Sequence, residues 1–170
     1  RLNQIPQRVG AMVKYALAQY RHPRYMTAGV LHILLFAGFM ILSLRSLTLV
    51  MVGIVDGYTL PGLGGTLGAA YEVLKDIAAT MVLAAVIAAA IRRAVARPER
   101  YAVPPETGLK DHTWEAILVL GLIATLVTAD MIFEGTLAAA HHQQGISGEF
   151  ILPGTGRWIA AGLLAGTPLT

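Results

Sequence analysis

Four long runs of apolar residues, separated by short polar segments, dominate the sequence. The first three cover about residues 26–55, 67–96 and 112–140, and a fourth covers 157–170. A helix needs roughly 20 apolar residues to cross about 30 Å of hydrocarbon. The first three runs exceed that length and the fourth does not reach it. The pattern predicts an all-α, polytopic transmembrane helix bundle with three complete spans and the start of a fourth.

The segments between these runs have the composition of turns and surface loops. Residues 56–65 (DGYTLPGLGG) are rich in Gly and contain a Pro, which is typical of a turn. Residues 92–111 contain three prolines, which keep that segment out of a helix. Residues 1–25 are polar and basic, and 6–19 predict a short amphipathic helix on the membrane surface. The chain therefore divides into a basic segment, 1–25, and a transmembrane domain, 26–170.

The composition supports a membrane environment. Hydrophobic residues make up 55% of the 170 residues and charged residues only 14%, whereas soluble domains carry about 25% charged residues. A lipid-facing surface explains the difference. The chain has no cysteine, which excludes disulfides and Cys-ligated iron–sulfur or zinc sites within it. The Arg at position 1 and the apolar final stretch predict that this is a fragment of a longer polypeptide.

The basic residues are distributed unevenly, and this predicts an orientation. Of the 13 Lys and Arg residues, five lie in residues 1–25 and five in 92–110, while the segments 56–66 and 141–156 contain none. The positive-inside rule places the basic segments in the cytoplasm. The N-terminus is therefore expected to be cytoplasmic. A net charge of +3 concentrated beside apolar runs indicates membrane lipid as a partner and not nucleic acid.

His32 lies in the first apolar run, a turn or two inside the predicted cytoplasmic face, with no other ionisable side chain within two turns. An ionisable group at membrane depth is costly unless something compensates it. Neutral imidazole is a good ligand for haem iron and other metals. Ala28, Gly29 and Gly38 leave room nearby for a macrocycle. His32 is therefore a candidate metal ligand, as an axial ligand of haem. The alternative is a His that is hydrogen-bonded to a neighbouring helix or that snorkels to the interface.

A second group of ionisable side chains falls toward the outer ends of the first three runs. It consists of Arg45, Glu72, Lys75, Asp76, Asp130 and Glu134. The carboxylates form two pairs spaced four residues apart, so each pair shares one helix face. We predict a proton path or a quinone headgroup site, with Asp76, Asp130 and Glu134 as proton carriers. Arg45 is the candidate partner for a quinone or for a haem propionate. The alternative is a set of packing salt bridges, or carboxylates wetted at the interface.

The remaining histidines are weaker candidates. His141 and His142 are expected in a solvated loop after the third span, with a second haem site as the alternative. His112 opens the third span and is expected to be an interfacial or capping residue, although it could also serve as a second axial ligand. His22 is expected in solvent. No phosphate-binding loop, Ser–His–Asp arrangement or zinc-ligand spacing is present.

Parts of the sequence resemble one family, the membrane-bound iron–sulfur oxidoreductases of the heterodisulfide-reductase type. The N-terminal domain of that family is similar to the nitrate reductase gamma subunit, and the family includes electron-transfer flavoprotein:menaquinone oxidoreductases. The likeness rests on HILLFAGFMIL at 32–42 followed by RSL at 45–47, on YEVLKD at 71–76 followed by RR at 92–93 and RPER at 97–100, and on ADMIFEG at 129–135.

The resemblance implies a membrane domain that binds haem b through two histidines on different helices. Only His32 matches a ligand position, and the partner His is expected on a later helix, beyond Thr170. The resemblance also implies an Fe–S cluster outside this segment, on a cytoplasmic domain or subunit. Electrons would then pass between a soluble donor, such as electron-transfer flavoprotein, and menaquinone or ubiquinone in a bacterial inner (plasma) membrane.

Two other interpretations remain open at this stage. An ion-coupled transporter would use Arg45, Asp76 and Asp130 to bind an ion or substrate near the outer side. Transporters often contain inverted repeats, and no repeat is visible in this stretch. The other alternative is a purely structural membrane anchor subunit without a cofactor.

Overall fold

The computed structural model describes residues 4–20, 26–55, 57–96, 113–145 and 150–165, and every structural statement below refers to these ranges. They form five helices and no strand. The helices are α1 (Ile5–Met12), continued by a π-helical turn (Val13–Leu17); α2 (Met26–Ile54); α3 (Gly65–Ile91), continued by a π-helical turn (Arg92–Ala96); α4 (Thr113–Gln143); and α5 (Gly156–Leu164). The prediction of an all-α bundle is confirmed.

Three of the helices are long and apolar enough to cross a membrane: α2, α3 with its continuation, and α4, of 29, 32 and 31 residues. At about 1.5 Å per residue each exceeds the roughly 30 Å of a hydrocarbon core. Large apolar side chains point outward from these helices, among them Phe39, Leu122 and Leu126. Lipid tails solvate such side chains, so their exposure carries no hydrophobic penalty. The chain is a multi-pass membrane protein.

Helix α3 is the centre of the bundle. In its most apolar stretch 39% of the residues are buried, against 6% in α2 and 11% in α4, because α2 packs on one side of it and α4 on the other. Small side chains allow this approach: Ala78, Ala79 and Ala85 of α3 are all buried. The buried apolar core consists of Ala79, Val82 and Val86 from α3 and Val127 and Met131 from α4.

Gly38 lets α2 approach α3. A Cβ at this position would lie 2.0 Å from Cγ2 of Val82, which is far inside van der Waals contact. A hydrogen bond joins the same two helices one turn further along, from the Tyr71 hydroxyl to the carbonyl of Ile41 at 3.3 Å. Gly38 was expected to make room for a macrocycle. It packs against a neighbouring helix instead.

The two ends of the bundle differ, and we name them by their residues. The arginine face carries the start of α2, the turn Arg92–Ala96 and the start of α4. The glycine-loop face carries the end of α2, residues 57–64 and the end of α4.

Helix α1 and its π-helical turn are exposed along their length, with Lys14 Nζ over the rings of Tyr15 and Tyr20.

Helix α5 runs in the same direction as α4. Three contacts establish this: Gly156 with Met131, Gly135 with Ala160, and the Gln143 Nε2 donating to the Ala165 carbonyl at 3.2 Å. Across these three contacts the residue numbers increase together on α4 and on α5, so the two helices are parallel. Helix α5 therefore starts beside the middle of α4 and rises toward the glycine-loop face.

The chain must re-enter the bundle to reach that starting point. The Gly156 N–H donates to Thr80 Oγ1 of α3 at 3.0 Å, and Thr80 is about 22 Å along α3 from its first residue. Thr155 is buried there and caps α5 by accepting a hydrogen bond from the Trp158 N–H. Irregular backbone occurs at membrane depth only where protein or a water-filled cavity surrounds it. The described part of the fourth apolar run is therefore a half-helix that begins at membrane depth, after a re-entrant segment.

Candidate functional site

Helix α2 connects two candidate sites at different depths. His32 and Arg45 are 13 residues apart on this unbroken helix, which corresponds to about 20 Å along its axis. His32 lies near the arginine face and Arg45 toward the glycine-loop face. The two sites therefore do not share side chains.

The first site is a cleft of about 580 Å³ near the arginine face, where the side chain of His32 is exposed. It lies between α2, the end of α3 with its π-helical turn, and the start of α4. Most of its wall is apolar. The lining residues are Ala28, Leu31, His32, Leu35, Ala89, Arg92, Arg93, Glu115, Ala116, Val119 and Leu120. We call this the His32 cleft.

Several properties of the His32 cleft are compatible with a haem. Its volume lies within the range of about 300–1,000 Å³ typical of ligand pockets. His32 supplies an imidazole, the usual axial ligand. Arg92 and Arg93 supply guanidinium groups, which pair well with carboxylates such as haem propionates. Small side chains, Ala28 among them, leave room between the helices.

Of the histidines considered as axial ligands, the described part of the chain places only His32 at this cleft. His32 is the one imidazole among the residues that line the cleft. The alternative ligand His112 lies outside the described ranges, as does His22. Within the described ranges no group of three His, Cys, Asp or Glu side chains is arranged to hold a metal ion. The family resemblance implies a second axial histidine, which remains a prediction for a later helix.

The second site is a cluster of seven ionisable side chains from four helices. Its members are Arg45 from α2, Glu72, Lys75 and Asp76 from α3, Asp130 and Glu134 from α4, and Arg157 from α5. We call this the ionic cluster. It brings together every outer-half residue that the sequence singled out, and it adds Arg157.

Glu134 is at the centre of the ionic cluster and contacts all three cations. Its Oε1 lies 2.8 Å from Arg45 Nη2 and accepts a hydrogen bond from Lys75 Nζ at 2.6 Å. Its Oε2 lies 3.7 Å from Arg157 Nη1. Asp130 is more peripheral, since its Oδ1 is 3.7 Å from Arg45 Nε.

Helix α5 joins the cluster through Arg157. Its Nη1 lies 3.3 Å from Glu72 Oε2 and 3.6 Å from Asp76 Oδ2. Lys75 Nζ also donates to Glu72, so the two cations share this carboxylate. The contact requires the first turn of α5 to sit at the depth of Asp76, which the re-entrant segment makes possible.

The middle of the cluster is sealed from solvent and its edge is not. The side chains of Lys75 and Asp76 are each 3% exposed, whereas those of Glu72 and Asp130 are 28% and 27% exposed. Breaking a buried ion pair by removing one partner costs about 3–5 kcal/mol, because the other charge is left uncompensated. These contacts agree with the alternative interpretation given above, in which the charged side chains form packing salt bridges. They are equally compatible with a proton-carrying role for the carboxylates.

A second cleft of about 670 Å³ lies beside the cluster at the glycine-loop face. Arg45 and Glu72 form part of its wall, together with Tyr58 and Tyr71. Phe150 of the re-entrant segment closes one side. This glycine-loop cleft therefore presents aromatic, cationic and acidic groups next to the ionic cluster.

Arg157 and the pair His141 and His142 occupy positions that differ from those the sequence predicts. Arg157 was seen only as the start of the fourth run, although an Arg between Gly156 and an apolar stretch is itself an intramembrane charge that needs a partner. His141 and His142 were expected in a loop but lie in the last turn of α4.

Comparisons with protein-family models, with curated proteins and with solved structures give no significant match. The fold and its sites define the class of protein: a multi-pass membrane helix bundle with a histidine-lined cleft near one face and a buried ionic cluster toward the other. Any more specific function is argued from those two sites.

Proposed function

We propose that the chain is a membrane electron-transfer domain that carries haem b and exchanges electrons with membrane quinone. The observation that carries this proposal is His32, an intramembrane imidazole that faces an apolar cleft shared with Arg92 and Arg93. A solely structural His has no need of a cleft of this size or of two guanidinium groups beside it.

The residues of the His32 cleft have distinct roles in this proposal. His32 would bind the iron, Arg92 and Arg93 would pair with the propionates, and apolar residues such as Leu35 and Val119 would exclude water. When bound, the haem supplies one-electron transfer at a potential set by its ligands and surroundings. The protein holds it close to the arginine face, where a donor can dock.

The proposed orientation places the arginine face in the cytoplasm of a bacterium, with the chain in the inner membrane. The positive-inside rule supports this, because Arg92 and Arg93 lie on this face and the loop at 57–64 contains no base. The electron donor is then a cytoplasmic iron–sulfur domain or subunit, in turn fed by a flavoprotein such as electron-transfer flavoprotein. The Fe–S cluster belongs to that partner, since this chain has no cysteine.

The glycine-loop cleft is the proposed place for the headgroup of menaquinone or ubiquinone. Arg45 lines it and can donate a hydrogen bond to a quinone carbonyl. Tyr71 lines it with an aromatic ring, because its hydroxyl already donates to the Ile41 carbonyl. Reduction of a quinone to a quinol takes up two protons. Glu72 lies on the same wall, and Asp76, Asp130 and Glu134 lie behind it in the ionic cluster, so carboxylates are available as proton carriers.

Reduced-minus-oxidised visible spectra of the purified protein test the proposal. We expect the absorption bands of a b-type haem after addition of dithionite, and their loss in His32→Ala because the axial ligand is gone. His142→Ala is the matched control, since His142 is exposed at the opposite end of the bundle, and it should keep the bands. Absence of b-type bands from the unsubstituted protein would overturn the proposal.

One observation favours a second function, that of an ion-coupled transporter. A half-helix, α5, begins in the middle of the bundle beside buried charges, and discontinuous helices of this kind form the ion sites of many transporters. In that case an ion or substrate binds near Arg45, Asp76 and Asp130. The expected result is no haem spectrum and a rise in unfolding temperature on addition of the transported ion.

A further inference from the structure

The ionic cluster has more carboxylates than cations. Four carboxylates face three cations: Arg45 and Arg157 lie on flanking helices, and Lys75 lies between them on α3. If every carboxylate is ionised, the seven side chains carry one excess negative charge, which the N-terminal end of α5 offsets by roughly half. Charge without a partner is costly in a desolvated site. Protonation of one carboxylate leaves equal numbers of ionised carboxylates and cations.

A small cavity lies inside the cluster. Its volume is about 10 Å³, and its lining consists of Lys75, Asp76, Ala79, Asp130, Met131, Glu134 and Arg157. This is the lower limit of the space that a single water needs, and the lining supplies the two to four polar partners that an internal water requires.

Asp76 is the group on this cavity with an unused acceptor. Its side chain is 3% exposed, and its Oδ2 accepts no hydrogen bond within the described part of the protein, with Arg157 Nη1 at 3.6 Å. A buried carboxylate oxygen without a donor is unfavourable as an anion. As a carboxylic acid the same oxygen becomes an O–H donor to a water in the cavity.

We propose that the ionic cluster is a proton-binding site, in which Asp76 holds the proton on Oδ2 beside one internal water and exchanges it with the glycine-loop cleft through Glu72. Hydronium in that cleft gives a proton to Glu72 and becomes water. Glu72 then gives the proton on to Asp76 and becomes a carboxylate again, so each O–H bond that forms is matched by one that breaks. The charged groups around Asp76 are Glu72 and Lys75 on α3, Asp130 and Glu134 on α4, and Arg157 on α5. Arg45 on α2 is one contact further away, on Glu134 and Asp130.

The geometry gives this exchange one direction. Glu72 lines the glycine-loop cleft and also contacts Lys75 and Arg157, two cations that line the inner cavity. On the opposite side of the cluster lies the apolar core, which includes Val82 and Val127. These side chains cannot carry a proton toward the His32 cleft.

A metal cation fits this cavity poorly. Lys75 and Arg157 line it, and both would repel a cation. Within the described residues no three His, Cys, Asp or Glu side chains form a metal-holding group. A proton differs because it resides on one carboxylate and leaves the remaining ion pairs intact.

Infrared spectroscopy of the purified protein at neutral pH tests the assignment. We expect the C=O stretching band of a protonated carboxylic acid, which shifts in D₂O and disappears in Asp76→Asn. Because that variant removes a buried group and can misfold, the unsubstituted protein is also grown with ¹³C at the side-chain carboxyl of aspartate only. The band must then shift to lower frequency. A band that stays in place under this label, or no band at all, overturns the proposal.

Hydrogen exchange tests the route. After transfer into D₂O we expect the band to shift roughly 100-fold more slowly in Glu72→Gln, the lower end of the effect of a positioned proton donor or acceptor. Glu115→Gln, the same substitution at the arginine face, should leave the rate unchanged. Equal rates in Glu72→Gln and in the unsubstituted protein, or a band abolished by added Na⁺, would contradict the proton route. Neither measurement depends on haem, so this proposal and the electron-transfer proposal fail independently.

Discussion

At the scale of single residues, Glu134 is the side chain on which the ionic cluster depends. It is the carboxylate that contacts Arg45, Lys75 and Arg157, and so it links α2, α3 and α5 through α4. Asp130, one turn earlier on the same helix, forms an ion pair with Arg45 at 3.7 Å and with no other cation of the described residues. The two carboxylates should therefore differ strongly in what their removal does.

Substitution of Glu134 by Gln should destabilise the bundle by about 3–5 kcal/mol, because buried Lys75 and Arg157 and partly buried Arg45 lose their shared partner. Asp130→Asn, the matched control, should change stability by about 1 kcal/mol or less, as expected for a partly exposed pair. Thermal unfolding in detergent, followed by circular dichroism, measures both. Equal effects of the two variants would show that Glu134 is not the centre of the network.

At the scale of elements, α5 is the helix whose placement is least ordinary. It begins in the interior, is parallel to α4, and contacts α4 where Gly135 leaves no side chain in the way. A Cβ at Gly135 would lie 2.6 Å from the Cβ of Ala160 and 2.9 Å from the backbone N of Ala161. Backbone cannot move aside as a flexible side chain can, so a larger residue at Gly135 must displace α5.

Gly135→Leu should therefore detach α5 and pull Arg157 out of the ionic cluster. Gly121→Leu is the matched control, because Gly121 is on the same helix and a Cβ there meets no atom within 4 Å. We expect increased protease cleavage in residues 150–165 and a lower unfolding temperature for the first variant only. Normal protection of α5 in Gly135→Leu would contradict the close approach of α4 and α5.

Cysteine cross-linking tests the parallel direction of α5. The chain has no native cysteine, so introduced pairs are not confused by others. Gln143→Cys with Ala165→Cys should cross-link on mild oxidation, because the two residues are already joined by a hydrogen bond. Gln143→Cys with Trp158→Cys should not, since Trp158 lies near the start of α5. The reverse result would mean that α5 is antiparallel to α4.

At the scale of the whole molecule, the two faces have different chemistry. The arginine face carries Arg92 and Arg93 beside the His32 cleft, and the glycine-loop face carries the second cleft and the route to the ionic cluster. The buried apolar core lies between them. In the proposed function this separation places electron input at one face and proton uptake at the other.

The proposed orientation predicts which positions a membrane-impermeant thiol reagent reaches in intact cells. Thr59→Cys, exposed on the glycine-loop face, should be labelled from outside. Ala96→Cys, exposed on the arginine face, should be labelled only after the membrane is permeabilised. Labelling of Ala96→Cys alone in intact cells would reverse the orientation, with the proton route then opening to the cytoplasm.

The three spans, the separation of His32 from Arg45 and the pairing of the carboxylates could all be derived from the sequence. Each depends on local properties: the length of an apolar run, the rise per residue of one helix, and a spacing of four residues on one helix face. The basic residues were informative as well. Ten of the 13 lie in the two segments 1–25 and 92–110, and the other three proved to be the cations of the ionic cluster.

Only the tertiary structure decided which of these residues meet. An apolar run has the same composition in either direction, so nothing local shows that α5 re-enters the bundle and brings Arg157 to Asp76. The contact of Gly38 with Val82 and the cleft beside His32 likewise arise between helices that are far apart in sequence. Helix spans follow from solvation of the chain by lipid. Sites follow from side-chain packing between spans, which no single segment encodes.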